Sequence, residues 1–534
     1  MSWVQVGTDI SGTYNQESII PIALSSNGTI LARGEFHNGI VRIYSRTGST
    51  WNTIGEITSQ NSGDWNGSSI ALSADGTTIA IGANSNDTNG QDSGMVRVFD
   101  YSSNVWTQRG ASIYGQLNSF EHFGVVSLSA NGNIVAVGAP SNSSSAGAVR
   151  VYSWTGSVWA QLGADISGVH GSYSGEVISL SGSGTVLAVG GYFYENQRGY
   201  VRVFEYVNSN WVQKGTTFIG ANDVDHLGRS IKLSNDGNTI AIGIPQIETI
   251  RIYDWNQTSW VQRGADIVSN TNHDQTGVEL SLSSNGNVVA LLAPAYNNDI
   301  GQARVFEWLT NSWVQIGQSI DGEGLGGRAY SLALSSDGTI LAISTTGIDD
   351  ATTYARVYTY SAPVPCLPAG TRVLTATGYK AVEKLCQDDL IVTSEGQAVS
   401  FKLYSTGVDK AAEVNAPYLI PARTFGKYPV KDLVLSPNHA FQSRPGVWQI
   451  PKYAAMMNSA IKQVDVGKPV TYYHIETPDY FKDNLVVEGT VVESFAHKQL
   501  RKGEIVYSYS PRYNGFIRSQ AARQSQARLK NIGI

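Results

Sequence analysis

A tryptophan recurs about every 50 residues through the first two-thirds of this chain, at Trp3, Trp51, Trp106, Trp159, Trp211, Trp260 and Trp313. Six of these open the string W-[VTA]-Q-x-G; Trp51 departs, with Asn52 and Thr53 after it. A second string, L-S-x-[DNS]-G, keeps the same period at Leu24–Gly28, Leu72–Gly76, Leu128–Gly132, Leu180–Gly184, Leu233–Gly237, Leu282–Gly286 and Leu334–Gly338. A third mark is an arginine in an alternating apolar stretch: Arg42, Arg97, Arg150, Arg202, Arg251, Arg304 and Arg356. A repeat of this length is one supersecondary unit that cannot bury its own apolar face, so it must stack on its neighbours.

Each unit reads as four strands. Asp337–Gly338 lies between the apolar stretches Ser331–Ser335 and Thr339–Ile343, which predicts a hairpin with a type I′ turn. A polar loop leads to V-R-V-[YF], and a short turn such as Val207–Asn210 returns the chain into Trp211–Gly215, a second hairpin. Seven such units stacked radially make a seven-bladed β-propeller. The last arginine strand, Ala355–Tyr360, has no tryptophan strand after it, and the strand around Trp3 has none before it. The two are therefore expected to pair and close the ring. Charged residues at 15%, with 56 Gly, 12 Trp and 27 Tyr, suit short strands and tight turns.

These repeats resemble FG-GAP propeller repeats, with Phe123–Gly124 as one trace of that pattern. The resemblance implies calcium loops with acidic ligands at alternating positions. Only Asn86, Asp87, Asn89 and Asp92 offer such a set, and the other units do not repeat it. A solvated turn is the preferred reading, and no metal or other cofactor is assigned. Residues found in every blade, such as the Trp and Arg, are expected to serve packing and inter-blade contacts, the Arg by pairing with an acid or stacking on a ring. His37, His122, His170, His226 and His273 fall at unrelated positions in their units, without metal-ligand spacing. The propeller thus reads as a binding module for a protein or glycan, and analogy with such surfaces points to an extracellular or particle-associated role.

The repeat stops after Tyr360, and Ser361–Pro365 is a stiff linker. Then follow Cys366–Thr375, Gly378, Val382–Glu383 and Asp389–Thr393, then Asp432–His439, then Tyr473–Glu476, Leu485–Gly489 and Glu493–Phe495. This order of blocks resembles the Hint domain of hedgehog proteins and inteins. Three departures stand out: Ser436 replaces the usual Thr, Asp388 the usual Gly, and the closing His-Asn pair of inteins is absent. Cleavage is therefore expected and splicing is not.

What the resemblance implies is an N-to-S acyl shift at the Pro365–Cys366 bond. Cys366 is the nucleophile, His439 protonates the departing amine, and Ser436 holds the scissile backbone. His474 is a second acid or base for thioester hydrolysis, and Asp389 orients a group or caps a turn. Water or another nucleophile takes the thioester. Pro365 restricts the carbonyl that is attacked, so cutting is expected to be slow or triggered by a partner. Cys386, the second of two cysteines, reads as a small buried residue, and two cysteines exclude a disulfide framework.

The chain of 534 residues is thus expected to be all-β. A seven-bladed β-propeller occupies 1–360, a linker 361–365, a Hint-fold domain 366–497 and a basic tail 498–534 with a short helix at Gln520–Leu529. The tail is too short and polar to bind sterol. A net charge of −6 argues against nucleic acid as a partner. Met1–Gly12 shows no signal peptide, and no apolar run reaches the ~20 residues of a transmembrane segment. Two further functions stay open: an interaction protein whose Hint fold is inactive, and a propeller hydrolase, for which no nucleophilic or acidic constellation is visible.

Overall fold

The computed structural model describes residues 2–12 and 20–361 apart from 270, 272, 310, 323–328 and 347–352, and then parts of 367–506 that exclude, among others, 436–440 and 493–497. Contacts divide the chain into two units, Ser2–Ser361 and Ala362–Ile534 with Met1. The described residues are all-β, with helices no longer than one turn.

The first unit holds seven antiparallel sheets of four or five strands. In the first sheet the order is Ile22–Leu24, Ile30–Glu35, Ile40–Thr47 and Thr50–Thr58, from inside outward. Each tryptophan strand is therefore the outer edge of the blade that precedes it in sequence. The seventh blade takes its outer strand from the N-terminus: Ser2–Gln5 pairs with Thr353–Ser361, Trp3 opposite Tyr360. The ring closes as the sequence predicts. Closure is visible at the centre too. The backbone N–H of Ser26 bonds to the carbonyl of Ala74, and the chain of bonds runs on through Ala130, Gly182, Asn235, Ser284 and Ser336 back to Ser26, each 2.8–2.9 Å. Apolar residues of facing sheets fill the space between blades, as where Val288, Ala290 and Leu292 meet Leu332, Leu341 and Trp3.

The L-S-x-[DNS]-G string makes the inner hairpin, but not with the expected type I′ turn. Gly338 N–H bonds to Ser335 O, and Asp337 is not among the residues with positive φ, whereas Gly338 has φ 77°. This is a type I turn followed by a left-handed glycine, repeated at all seven positions with glycine φ of 67–77°. Serine and the third residue explain the choice: Ser335 Oγ accepts the Ile340 N–H at 2.9 Å and donates to Asp337 at 2.7 Å. Type I′ geometry sits instead in the outer hairpins, at Ser103–Asn104 (φ 54° and 64°) and Asn208–Ser209 (φ 50° and 65°).

The string W-x-Q-x-G is a joint between blades. The glutamine amide donates to the residue four places on in all six cases, for example Gln161 to Asp165 at 2.7 Å. The following glycine is left-handed, with φ of 71–81°, and the next tryptophan packs on it. That turn presents the carbonyl before the glycine to the indole N–H of the next blade: Trp159 to Arg109, Trp211 to Leu162, Trp260 to Lys214, Trp313 to Arg263, Trp3 to Ile316 and Trp51 to Val6, at 2.8–3.2 Å. Where Thr53 replaces the glutamine, the turn is not made. The strand runs unbroken from Thr50 to Thr58, with an irregular register near Tyr44, and the buried indole N–H of Trp106 has no partner.

The second unit has a small core of Leu367, Val373, Val382, Leu385, Ile391, Ile420, Leu433, Leu435 and Ile461. A three-stranded sheet orders Leu367–Pro368, Val470–Glu476 and Lys402–Val408, and a larger sheet is built around Arg372–Thr375. In the tail, Lys498–Gln499 pairs with Ile505–Val506. The helix expected at Gln520–Leu529 lies outside the described residues.

Candidate functional site

The candidate residues of the second unit fall around one short strand. Leu367–Pro368 follows Cys366 directly and runs antiparallel to Val470–Glu476, with Leu367 opposite Tyr473 and Pro368 opposite Tyr472. His474 is the next residue along that partner strand, and its backbone partner on the other side is Tyr404. Leu367–Pro368 also contacts Leu433–Leu435, the strand that ends one residue before Ser436, and Leu367 shares a core with Leu433 and Leu435. The sheet edges therefore bring together the chain segments that flank Cys366, Ser436 and His474. Pro365, Cys366, Ser436 and His439 themselves lie outside the described residues.

Asp389 is described, and it caps a turn. Its Oδ2 accepts the backbone N–H of Cys386 at 2.8 Å and the Lys380 ammonium at 2.6 Å, while its own N–H bonds to the Cys386 carbonyl. The hydrogen bond from Lys380 holds the carboxyl down to about 2, with help from the Cys386 N–H. Cys386 is exposed, not buried as its residue type suggested; its Sγ lies 3.2 Å from Asp389 and 3.7 Å from Lys380. Glu383 reaches back to accept the Gly370 N–H at 2.8 Å, which ties the first hairpin to the turn before it.

In six of the seven blades the residue at the end of W-x-Q-x-G-x-[DST] decides whether the arginine finds an acid there; Arg42, in the blade that lacks the string, pairs with Glu35 and Glu56 instead. Where that residue is Asp the two pair: Arg150 with Asp165 at 2.8 Å, Arg251 with Asp266 at 3.0 Å, and Arg356 with Asp9 at 2.8 Å. Where it is Ser or Thr, the guanidinium lies over a ring, Phe99 for Arg97, Phe204 for Arg202 and Phe306 for Arg304, a contact that the paired Arg150 and Arg356 also make, with Phe123 and Tyr354. Arg150 also binds the buried Glu121 through two bonds of 2.8–2.9 Å. Burial raises the Glu121 pKa, but the bonds from Arg150 and from the Gln116 N–H outweigh it and leave the carboxyl below its ordinary value.

The loop at Asn86–Asp92 is occupied by its own backbone. Asn86 Oδ1 accepts the Thr88 N–H, Asp87 Oδ1 accepts the Asp92 N–H, and Asn89 donates to the Gly115 carbonyl. Among the described residues no group of three His, Cys, Asp or Glu is placed to hold a metal.

The histidines are not all at unrelated positions. His122 and His226 each stand two residues before the glycine that leads into an inner strand, Gly124 and Gly228. Trp65, Tyr173 and Gln275 occupy the same place in three other blades. All five have left-handed backbone, with φ of 51–59°. The N–H groups of His122, Tyr173 and His226 bond to Asp92, Ser145 and Gln197 in the preceding blade's loop. Sequence spacing hid the equivalence because the loops before these residues differ in length.

Comparison with known proteins agrees with this architecture. A family model described as the Hint domain matches residues 365–499, and one described as the FG-GAP repeat matches residues 51–99. The chain thus carries a Hint domain after FG-GAP-like repeats. No curated protein matches it. Among solved structures, the hydrazine synthase of Kuenenia stuttgartiensis is 13% identical with a TM-score of 0.45, covering 65% of this chain and 97% of that one. The Cps50 (Swd1) β-propeller domain of Myceliophteria thermophila is 13% identical with a TM-score of 0.44, covering 66% and 100%. No helix among the described residues is long and apolar enough to cross a membrane.

Proposed function

We propose that this chain cuts itself at Pro365–Cys366 and releases its propeller as a binding module. The Cys366 thiolate attacks the Pro365 carbonyl, forming a C–S bond and a five-membered tetrahedral intermediate. His439 gives a proton to the Cys366 nitrogen, and the C–N bond breaks. A thioester at Pro365 and a free amine on Cys366 result. Water then attacks the thioester, leaving a carboxylate on Pro365 and the thiol on Cys366. Joining nucleophile and carbonyl in one chain removes the entropy cost of association, a term worth up to roughly 7–11 kcal/mol in well-oriented cases.

The observation that carries the reading is the pairing of Leu367 with Tyr473, together with the contact between Leu367–Pro368 and Leu433–Leu435. Consecutive Cα atoms are about 3.8 Å apart, so Cys366 is tethered within one peptide of a strand whose partner carries His474 in the adjoining position. Ser436 is tethered in the same way to Leu435, and His439 lies three residues on. Asp389 takes a positioning role only, since Lys380 and the Cys386 turn engage its carboxylate.

The test is a denaturing gel of the expressed chain. Fragments of about two-thirds and one-third of its length, absent in Cys366→Ala and slowed at least tenfold in His439→Ala, are expected. A single full-length band that persists with added hydroxylamine or thiol contradicts the proposal and favours an inactive Hint fold.

A further inference from the structure

Strained backbone that persists in a fold marks a place where the side chain matters. The five left-handed residues Trp65, His122, Tyr173, His226 and Gln275 meet that description. Glycine adopts such a φ without penalty, yet none of the five is glycine, and four carry a ring. A large aromatic residue at positive φ, as in Trp65 at 55°, is an outlier of its type.

Each ring stands beside another at the same end of its blade. Trp65 lies 5.7 Å from Phe36 and 5.8 Å from His37, whose rings are 4.3 Å apart. His122 lies 4.6 Å from Phe120, Tyr173 5.2 Å from Phe193, and His226 6.1 Å from Tyr192. Each strained residue just precedes the inner strand of its blade, and its neighbours bond to the loop between the second and third strands of the preceding blade, as Asn66 does to Gly39 and Phe123 to Ser93, so the ring pairs recur around one face of the propeller. Trp65 is the most open of the strained aromatics, 41% exposed, and Phe120 is 53% exposed. Buried Asp64 fixes the loop that presents Trp65: it accepts the Ser59 hydroxyl and the Asn61 N–H, both at 3.2 Å.

We propose that this face of the propeller binds neutral glycans, with Trp65, Phe36 and His37 as its principal site. The negative face of an aromatic ring favours the polarised C–H face of a pyranose, and exposed Asn38, which follows His37 in the chain, is a short polar side chain that suits sugar hydroxyls. Small ring pairs repeated from blade to blade match a polymer that repeats its own units, and several weak contacts on one such polymer reinforce one another. A protein partner would instead need a continuous interface of roughly 800 Å² per side with an apolar centre. Two- and three-ring clusters separated by polar loops do not provide one.

The inference rests on the reading of the propeller as a binding module, and the test separates the two. Full-length protein is applied to an array of neutral oligosaccharides built from glucose, galactose, mannose, fucose and N-acetylglucosamine, alongside an array of extracellular proteins. Saturable binding to at least one oligosaccharide is expected. Trp65→Gly should weaken it at least tenfold while the melting temperature stays level or rises, because the backbone strain is removed with the ring. His37→Ala should weaken it without unfolding the blade. Failure to bind any neutral oligosaccharide overturns the inference, and so does binding unchanged in Trp65→Gly. Binding to proteins alone also overturns it, while leaving the binding-module reading intact.

Discussion

Two tryptophans that share one position in the repeat should respond oppositely to the loss of their N–H. Trp159 donates to the Arg109 carbonyl at 2.9 Å, across the joint between blades. Trp106 occupies the equivalent place one blade earlier, but its indole N–H is buried without a partner. The cause is local in sequence: Thr53 stands where glutamine builds the turn elsewhere, and Gly55 lacks the left-handed φ of the other joint glycines. Replacing either tryptophan by Phe removes a similar part of the ring. At Trp159 the change also breaks a bond and leaves a carbonyl short of its donor, a loss of about 1 kcal/mol or more. At Trp106 it removes an unsatisfied polar group, recovering about 1–3 kcal/mol of desolvation cost. Trp159→Phe should therefore be less stable than Trp106→Phe by roughly 2 kcal/mol. Unfolding entropy near 2.1 cal/mol/K per residue makes that roughly 2–3 °C for the unit Ser2–Ser361. Calorimetry of both variants in a Cys366→Ala background, which keeps the chain intact, measures the difference. Equal melting temperatures, or a lower one for Trp106→Phe, would refute the reasoning.

Three further outcomes follow from the same geometry. Gly138→Ala would drive its Cβ into the Gly175 carbonyl oxygen of the next blade, so the blades must part; a loss of about 1–3 kcal/mol in denaturant unfolding is expected. The Arg356 hydrogen bonds hold the Asp9 carboxyl below 3.8, so their contribution is complete above that value and lost as pH falls through the lower, folded one. The melting temperature of the native protein should therefore drop more steeply than that of Asp9→Asn between about pH 5 and about pH 3. Asp389→Ala should leave the cleavage rate within about threefold of the original on gels, since its carboxylate is spent on Lys380 and the Cys386 turn; a loss of 100-fold would make it part of the chemistry.

Much of the fold was legible because the repeat writes each contact seven times. Blade number, strand order and the closing pair of Trp3 with Tyr360 follow from counting units and noticing which strands lack neighbours. The partners of the arginines, acid or ring, were legible only as alternatives, because the acid lies beyond the tryptophan string, as Asp9, Asp165 and Asp266 show, and Arg150 and Arg356 take both. The inner turn was misread because Asp-Gly and Asn-Gly suit type I′ geometry in isolation. The buried serine before them, exemplified by Ser335, draws the chain into a longer turn that leaves only the glycine left-handed. Glycine pairs such as Gly138 and Gly175 carried a signal that went unread: they recur at fixed places because one blade's carbonyl occupies the space a Cβ would need in the next. In the second unit the order of sequence blocks pointed to the Hint domain, and the family match at 365–499 agrees. Cys386 was misjudged because residue type predicts average burial, while its turn, fixed by Asp389, faces solvent.

The intact mass of the N-terminal product is the most direct measure of self-processing. The account predicts a species ending at Pro365 with a free carboxylate, converted to the hydroxamate when hydroxylamine intercepts the thioester. Only the uncut 57.4 kDa chain after prolonged incubation with hydroxylamine, or a terminus at any other bond, would contradict it.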